Sequence, residues 1–236
     1  AVSVTPGYIG TLGLLYQWGR KDPFLNTSSI SSGKVARSST KWPTPVNSTL
    51  KNGQVDFVTE NPMVLVRGTE GTAYDWLYDQ IRDDSLWGIE KSIYDPCPVG
   101  WRVPSGGRAG VWALSGFGLS GFELVNAGAS FNNDGVSLWY PATSYLDISQ
   151  DSEMGISGHH GYYWAVAPSG GESAMALYEG GLYSSGTYKR SSAFSVRCQK
   201  EDGSIDRVQL LKDDTIDLAK EGIANCYIVS GPGTYS

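Results

Sequence analysis

The sequence predicts an α+β fold made mainly of short antiparallel strands and long loops, with two short helices. Three observations lead there. Glycine (30), tyrosine (14) and tryptophan (8) are plentiful, while charged residues make up only 18% of the 236. So many aromatics are incompatible with a disordered chain, and glycine-rich sequence with short apolar runs is strand-and-loop sequence. Residues 161–167, 173–178, 181–184 and 193–200 alternate apolar and polar side chains as successive antiparallel strands do. Helix signals occur at 72–81 and after Ser105.

The elements follow in order. Leu12 to Trp18 is a short apolar strand. Residues 25–53, rich in Ser, Thr, Asn, Gly and Pro, read as a long surface loop. Pro62-Met63-Val64-Leu65-Val66-Arg67 reads as a buried strand bounded by breakers. Thr72-Ala73-Tyr74-Asp75 fits a capping box in which Asp75 reaches back to the cap. Tyr74, Leu77, Tyr78 and Ile81 then share one helical face, and Asp83-Asp84 opposes the macrodipole, so the helix ends there. Trp76, Trp87 and Trp164 are expected in the core.

Tyr94-Asp95-Pro96-Cys97-Pro98-Val99-Gly100-Trp101-Arg102-Val103-Pro104-Ser105 is a stiff entry, a short strand and a helix start. The prolines restrict their own φ and extend the residues before them. Trp101 and Val103 should point one way and Arg102 the other. Ser105 is placed to cap a helix running to about Leu114, weakened by Gly106, Gly107 and Gly110. Asn132-Asn133-Asp134-Gly135 is a turn signal, and a strand ends at Trp139-Tyr140-Pro141. Residues 143–160 read as a polar loop. In Ser192-Ala193-Phe194-Ser195-Val196-Arg197-Cys198, residues Phe194, Val196 and Cys198 share one strand face. Two strands, each with a cysteine and about one domain apart, describe a fold closed by its own ends.

Composition excludes several classes of function. A formal charge of −6, with no block of five basic residues, argues against nucleic acid, whose binding depends on phosphate neutralisation. No apolar run approaches the ~18 residues of a membrane-spanning segment. Ala1-Val2-Ser3 has neither the charged nor the apolar region of a signal peptide. The three cysteines, with His159 and His160, do not have zinc-ligand spacing.

Asp-Pro-Cys-Pro-Val-Gly-Trp-Arg-Val-Pro at 95–104 and Phe-Ser-Val-Arg-Cys at 194–198 together resemble the major paralogous domain first described in Fibrobacter succinogenes, closest to the version in fimbrillin-like surface proteins of gut Bacteroidales. Residues 15–24 (Leu-Tyr-Gln-Trp-Gly-Arg-Lys-Asp-Pro-Phe), Asp75-Trp76-Leu77-Tyr78, Leu86-Trp87-Gly88, Trp139-Tyr140-Pro141-Ala142 and Gly161-Tyr162-Tyr163-Trp164 match in order. The resemblance implies a C-type-lectin-like fold, related to that of formylglycine-generating enzymes, over residues 1–202. It also implies a strand before Ala1, and a linker with the start of a following module at 203–236. It places the protein outside the cell, at a bacterial surface, anchored to the outer membrane or part of a pilus. A Cys97–Cys198 disulfide is expected where the two closing strands meet, with Cys226 unpaired.

Catalytic chemistry is sparse. No Gly-x-Ser-x-Gly elbow occurs, and Ser105-Gly106-Gly107-Arg108-Ala109-Gly110 lacks the Gly-Lys-Ser/Thr ending of a phosphate loop. Formylglycine generation needs reactive cysteines, whereas Cys97 and Cys198 suit a structural bridge. The expectation is therefore no enzyme and no cofactor. The sugar-binding triplets of calcium lectins are absent, so Asp147, Asp151 and Glu153 read as a solvated loop and no metal is expected. What remains is recognition. Loops 143–160, 168–172 and 184–192 would display Tyr145, His159, His160, Tyr183, Tyr188, Lys189 and Arg190, a tyrosine-rich surface of the kind adaptable binders use. Tyr162 and Tyr163 should divide, one inward and one outward, because adjacent strand residues face opposite sides. The expected partner is a glycan or a host or bacterial surface protein, on a scaffold that also suits variable display. Two other readings stay open. The aromatics serve only the core and the contacts between neighbouring pilus subunits, or the domain is a formylglycine-generating-type enzyme.

Overall fold

The structure is a computed structural model that describes residues 9–31, 34–36, 44–68, 74–78, 83–108, 110–114, 127–133, 136–147, 153–154, 160–167, 171–178 and 181–201. The chain divides into two units, Ala1–Lys200 and Glu201–Ser236; in the second only Glu201 is described.

The first unit is α+β and mostly strand. After a 3-10 turn at Ile9–Thr11 come β1 (Leu14–Gln17), β2 (Phe24–Leu25), β3 (Ser29–Ser31), β4 (Lys34–Ala36) and β5 (Val46–Asn47). Helix α1 (Val55–Glu60), β6 (Val66–Arg67), β7 (Trp101–Arg102) and α2 (Val111–Leu114) follow. The second half holds β8 (Gly128–Asn133), β9 (Val136–Pro141), β10 (Leu146–Asp147), β11 (Glu153–Met154), β12 (His160–Val166), β13 (Glu172–Tyr178), β14 (Gly181–Gly186), β15 (Ala193–Ser195) and β16 (Gln199–Lys200).

One sheet organises the unit, in the order β11-β10-β15-β12-β13-β14, with β1 on β15 and β2 on β1. Strands β12, β13 and β14 are successive and antiparallel, as their alternation predicts. Early and late chain meet where Leu15 pairs with Ser195 and Gln17 with Ala193. The link from β15 to β12 is parallel, through Tyr163 and Ser195. Asn133 lies opposite Val136 at the end of the β8–β9 pairing; Asp134 and Gly135 of the turn signal lie outside the described residues.

Alternation along β12 gives the sheet two buried faces. Trp164, Val166 and Ala174 join Trp18, Trp76, Trp87 and Phe194 on one. Tyr163, Ala165, Met175 and Leu177 join Trp112 and Tyr140 on the other. Each fully buried indole has found an acceptor, as a buried N–H must. Trp76 donates to the Trp18 carbonyl at 2.7 Å, Trp164 to that of Tyr16 at 2.7 Å, and Trp87 to that of Tyr94 at 2.9 Å. The tryptophans therefore set distances between segments as well as filling volume.

Buried polar side chains tie down the loops. The Gln17 amide donates to the carbonyls of Val66 (2.8 Å) and Ser191 (2.6 Å) and accepts from Arg20 (2.8 Å). Asp95, 2% exposed, accepts from the backbone N–H groups of Cys97 (2.7 Å) and Val103 (2.8 Å) and from Lys91 (2.7 Å). The Asp-Pro-Cys-Pro run is thus a turn wound around one carboxylate. It brings Cys97 to Cys198, with Cα atoms 5.8 Å apart in a disulfide, within the span such a bridge requires.

Several expectations are corrected. Residues 74–78 are not helical: Tyr74 has φ +58°, Trp76 and Leu77 are buried, and the Asp75 carboxylate accepts from Leu77 N–H at 3.0 Å instead of capping a helix. Tertiary demand for both apolar side chains overrides the periodic pattern. Ser105 bridges Val166, and helix α2 is confined to Val111–Leu114. The 25–53 stretch carries β3, β4 and β5, and 143–160 carries β10 and β11. The strand expected at 62–67 is only β6, with Met63 53% exposed; the one expected at 12–18 narrows to β1. Trp101 is 42% exposed while Arg102 and Val103 are both buried, because β7 ends at Arg102 and strand alternation ends with it. The 193–200 run breaks after Ser195 and resumes at Gln199. Helix α1 carries no sequence signal, because it buries a single residue, Val58, too little for a periodic pattern. No helix among the described residues is long and apolar enough to cross a membrane.

Candidate functional site

The most distinctive surface lies on the sheet face that carries Trp164. Cross-strand partners share a face, so the register Tyr162↔Ala176↔Tyr183 sets those residues in one row, and Trp164↔Ala174↔Gly186 sets the next. Alanines and glycine thus separate the rings. Tyr188 lies across Gly186, where a Cβ would approach the Tyr188 ring to 2.8 Å. Tyr162 is the hub: Tyr145 meets it edge-on at 4.7 Å, Tyr188 edge-on at 5.3 Å, and His160 stacks at 6.4 Å. Phe194 stacks on Tyr162 at 4.8 Å and on Trp164 at 4.2 Å. Tyr145, His160, Tyr162 and Tyr188 are half-buried, and Tyr183 is 58% exposed.

The predicted binding residues therefore divide. Tyr145, His160, Tyr183 and Tyr188 come together on one aromatic face. Lys189 is exposed, its ammonium 3.9 Å from the Tyr74 ring centroid, which its close approach favours. His159 and Asp151 lie outside the described residues. Tyr162 and Tyr163 do take opposite faces, yet neither is simply outward, since both pack into core clusters. Tyr162, one of the tyrosines of the last third but not among the predicted display residues, has its face marked by its spacing of two from Trp164.

Arg190 is corrected: it is not displayed. At 2% exposed, its guanidinium lies 4.1 Å from the Trp18 ring centroid. It donates to Glu172 at 2.5 Å and to Asp84, and it lies 3.3 Å from Asp75. Gly171, at φ +82°, makes room, because a Cβ there would sit 2.9 Å from the guanidinium. Burial opposes the charge on Arg190, but Asp84, Asp75 and Glu172 together outweigh it and hold the guanidinium above its ordinary range.

Asp147 pairs with Glu153 in register, and no group of three or more His, Cys, Asp or Glu side chains able to hold a metal occurs among the described residues.

Burial raises the phenol pKa of Tyr163, Tyr188 and Tyr16, with the Tyr183 phenol adding to the effect on Tyr188. The unfolded chain releases these protons first, near 10.0, so their contribution to stability is whole below that pH and declines above it. Alkaline titration by tyrosinate absorbance is expected to show a late class of tyrosines that ionises together with loss of near-UV circular dichroism. Ionisation of all tyrosines as one class near their ordinary value, with the fold intact, refutes this.

No family model, curated protein or solved structure matches the chain.

Proposed function

We propose that the first unit is a non-enzymatic recognition domain of C-type-lectin-like fold. It is exported, held at a bacterial surface or on a pilus, and binds a glycan or a surface protein through the aromatic face. One observation carries the reading: Tyr183 stands exposed in a row with Tyr162, beside the half-buried rings of Tyr145, His160 and Tyr188. Rings held this way lose little conformational entropy on binding, and tyrosine offers an apolar face and a polar tip. The disulfide-closed unit, with its late strand β15 paired to β1, supports the lectin-like reading of the fold.

The test uses Tyr183→Ala combined with Lys189→Ala, both exposed, screened as the full chain on glycan and surface-protein arrays. Hot-spot behaviour predicts a loss of about 2 kcal/mol or more in binding. Exposed positions predict a stability change within about 0.5 kcal/mol for each substitution. Binding unchanged in a folded variant removes this face as the binding site and favours the assembly role, in which the rings meet only neighbouring subunits.

A further inference from the structure

A second place on the unit has the makings of a binding site, and its described lining residues include none of Tyr145, His160, Tyr162, Tyr183 and Tyr188. Pairing between β1 and β15 is in register at Leu15 and Ser195. Beyond that point Leu14 and its predecessors face residues 196–198 across a cleft of about 300 Å³, lined also by Trp139, Tyr16 and Tyr163. That volume is at the small end of ligand pockets.

Arg197 is the only charged side chain among the described lining residues. Its guanidinium is already positioned: Nη1 donates to the Trp139 carbonyl at 2.6 Å, and Cζ lies 4.1 Å from the centroid of the Tyr140 ring. The group is half-buried. Among the described residues no carboxylate pairs with it and no acceptor meets Nε or Nη2. A planar guanidinium fixed at one nitrogen and open at the others presents the fork that carboxylates recognise. Trp139, half-buried, also lines the cleft and supplies an aromatic side chain for the C–H face of a sugar, whereas Tyr16, opposite Phe194 in register, packs on the core cluster of Trp164. The chain carries a formal charge of −6, so diffuse attraction of anions is disfavoured and binding here has to be local and saturable.

The geometry points to a site for one carboxylate-bearing sugar residue, of the hexuronic or sialic acid class, with Arg197 holding the carboxylate and Trp139 flanking the ring. The choice of a sugar rests on the recognition reading above; the requirement for a carboxylate rests on Arg197 alone.

The full chain, ¹⁵N-labelled, is titrated with glucuronate, N-acetylneuraminate, glucose and acetate while the Trp139 indole resonance is followed, assigned by Trp139→Phe. At least one acidic sugar is expected to shift that resonance saturably in the millimolar range. Glucose is expected to leave it unmoved, and acetate to bind at least tenfold more weakly. Arg197→Gln should weaken the acidic sugar at least tenfold. Leu14 is 37% exposed, and Leu14→Trp should block the mouth while leaving Arg197 untouched, so it decides the matter if Arg197→Gln fails to fold. Tyr183→Ala should leave this titration unchanged, which separates failure of the cleft from failure of the aromatic face. The site is overturned if neither acid moves Trp139, if glucose moves it equally, if acetate binds as tightly as the sugar acids, or if Leu14→Trp binds normally.

Discussion

Replacing Arg190 with methionine is expected to cost the first unit about 3–5 kcal/mol, because removing one partner of a buried ionic cluster strands the others. Asp75 is 3% exposed, and the Glu172 side chain is 12% exposed. Methionine fills much of the arginine volume but supplies no donor to either. The same side chain links segments far apart in sequence: Glu172 on β13, Asp75 and Asp84 from the second quarter of the chain, and the Trp18 ring just after β1. Asp84→Ala provides the contrast. Its side chain is 52% exposed, so solvent screens the pair, and a loss of about 1 kcal/mol or less is expected. Urea unfolding of the three chains reads both values, with an unchanged slope showing that only stability moved. An Arg190→Met midpoint within error of the parent removes the cluster as a structural centre.

Loss of the disulfide is expected to cost a similar amount by a different route. The bridge closes a loop with a sequence separation of 101, for which chain entropy in the unfolded state corresponds to about 4–5 kcal/mol before strain. Its local role follows from how little else joins the runs around Cys97 and Cys198. Strands β7 and β16 contribute two residues each, supported by the hydrogen bond from Ser105 N–H to the Gln199 side chain at 3.0 Å. In Cys97→Ala/Cys198→Ala, the urea midpoint should fall by the equivalent of that energy. Amide exchange at Trp101 and Lys200 should accelerate before exchange at β12 and β13. Two freely alkylated thiols at 97 and 198 in the untreated chain would overturn the pairing, as would peptide mapping that joins either to Cys226.

Much of the late sheet was readable because its information is local. Tyr162, Trp164 and Val166 alternate with Tyr163 and Ala165 on β12, and an antiparallel neighbour follows after a short connection; register then follows from burial of both faces. The cysteine pairing was readable for a related reason, since each cysteine accompanies a short run whose neighbours demand a partner.

The early chain was far less readable. Tyr74, Leu77 and Tyr78 have helical spacing, but their neighbours Asp75 and Trp76 are required elsewhere: Asp75 beside Arg190, and Trp76 in the core with its indole on the Trp18 carbonyl. Irregular backbone satisfies both demands, and no local propensity encodes it. Trp101 and Val103 do not share an environment, one exposed and one buried, because a two-residue strand is too short to enforce alternation.

The binding residues divide along the same line. Sequence by itself determined that the last third would be rich in tyrosine, that strand spacing would send Tyr162 and Tyr163 to opposite faces, and that Cys97 and Cys198 would be available to each other. Only the tertiary structure decided that Arg190 is buried among carboxylates while Arg197, in the Phe-Ser-Val-Arg-Cys run, lines a cleft with no carboxylate among its described residues. The two arginines look alike in sequence. Their difference lies in which distant segments arrive beside them, Asp75, Asp84 and Glu172 in one case and the Trp139 carbonyl and Tyr140 ring in the other. Charge pairing across such distances is set by the closed fold, because the energy of a guanidinium depends on desolvation and on neighbours that the local chain does not supply.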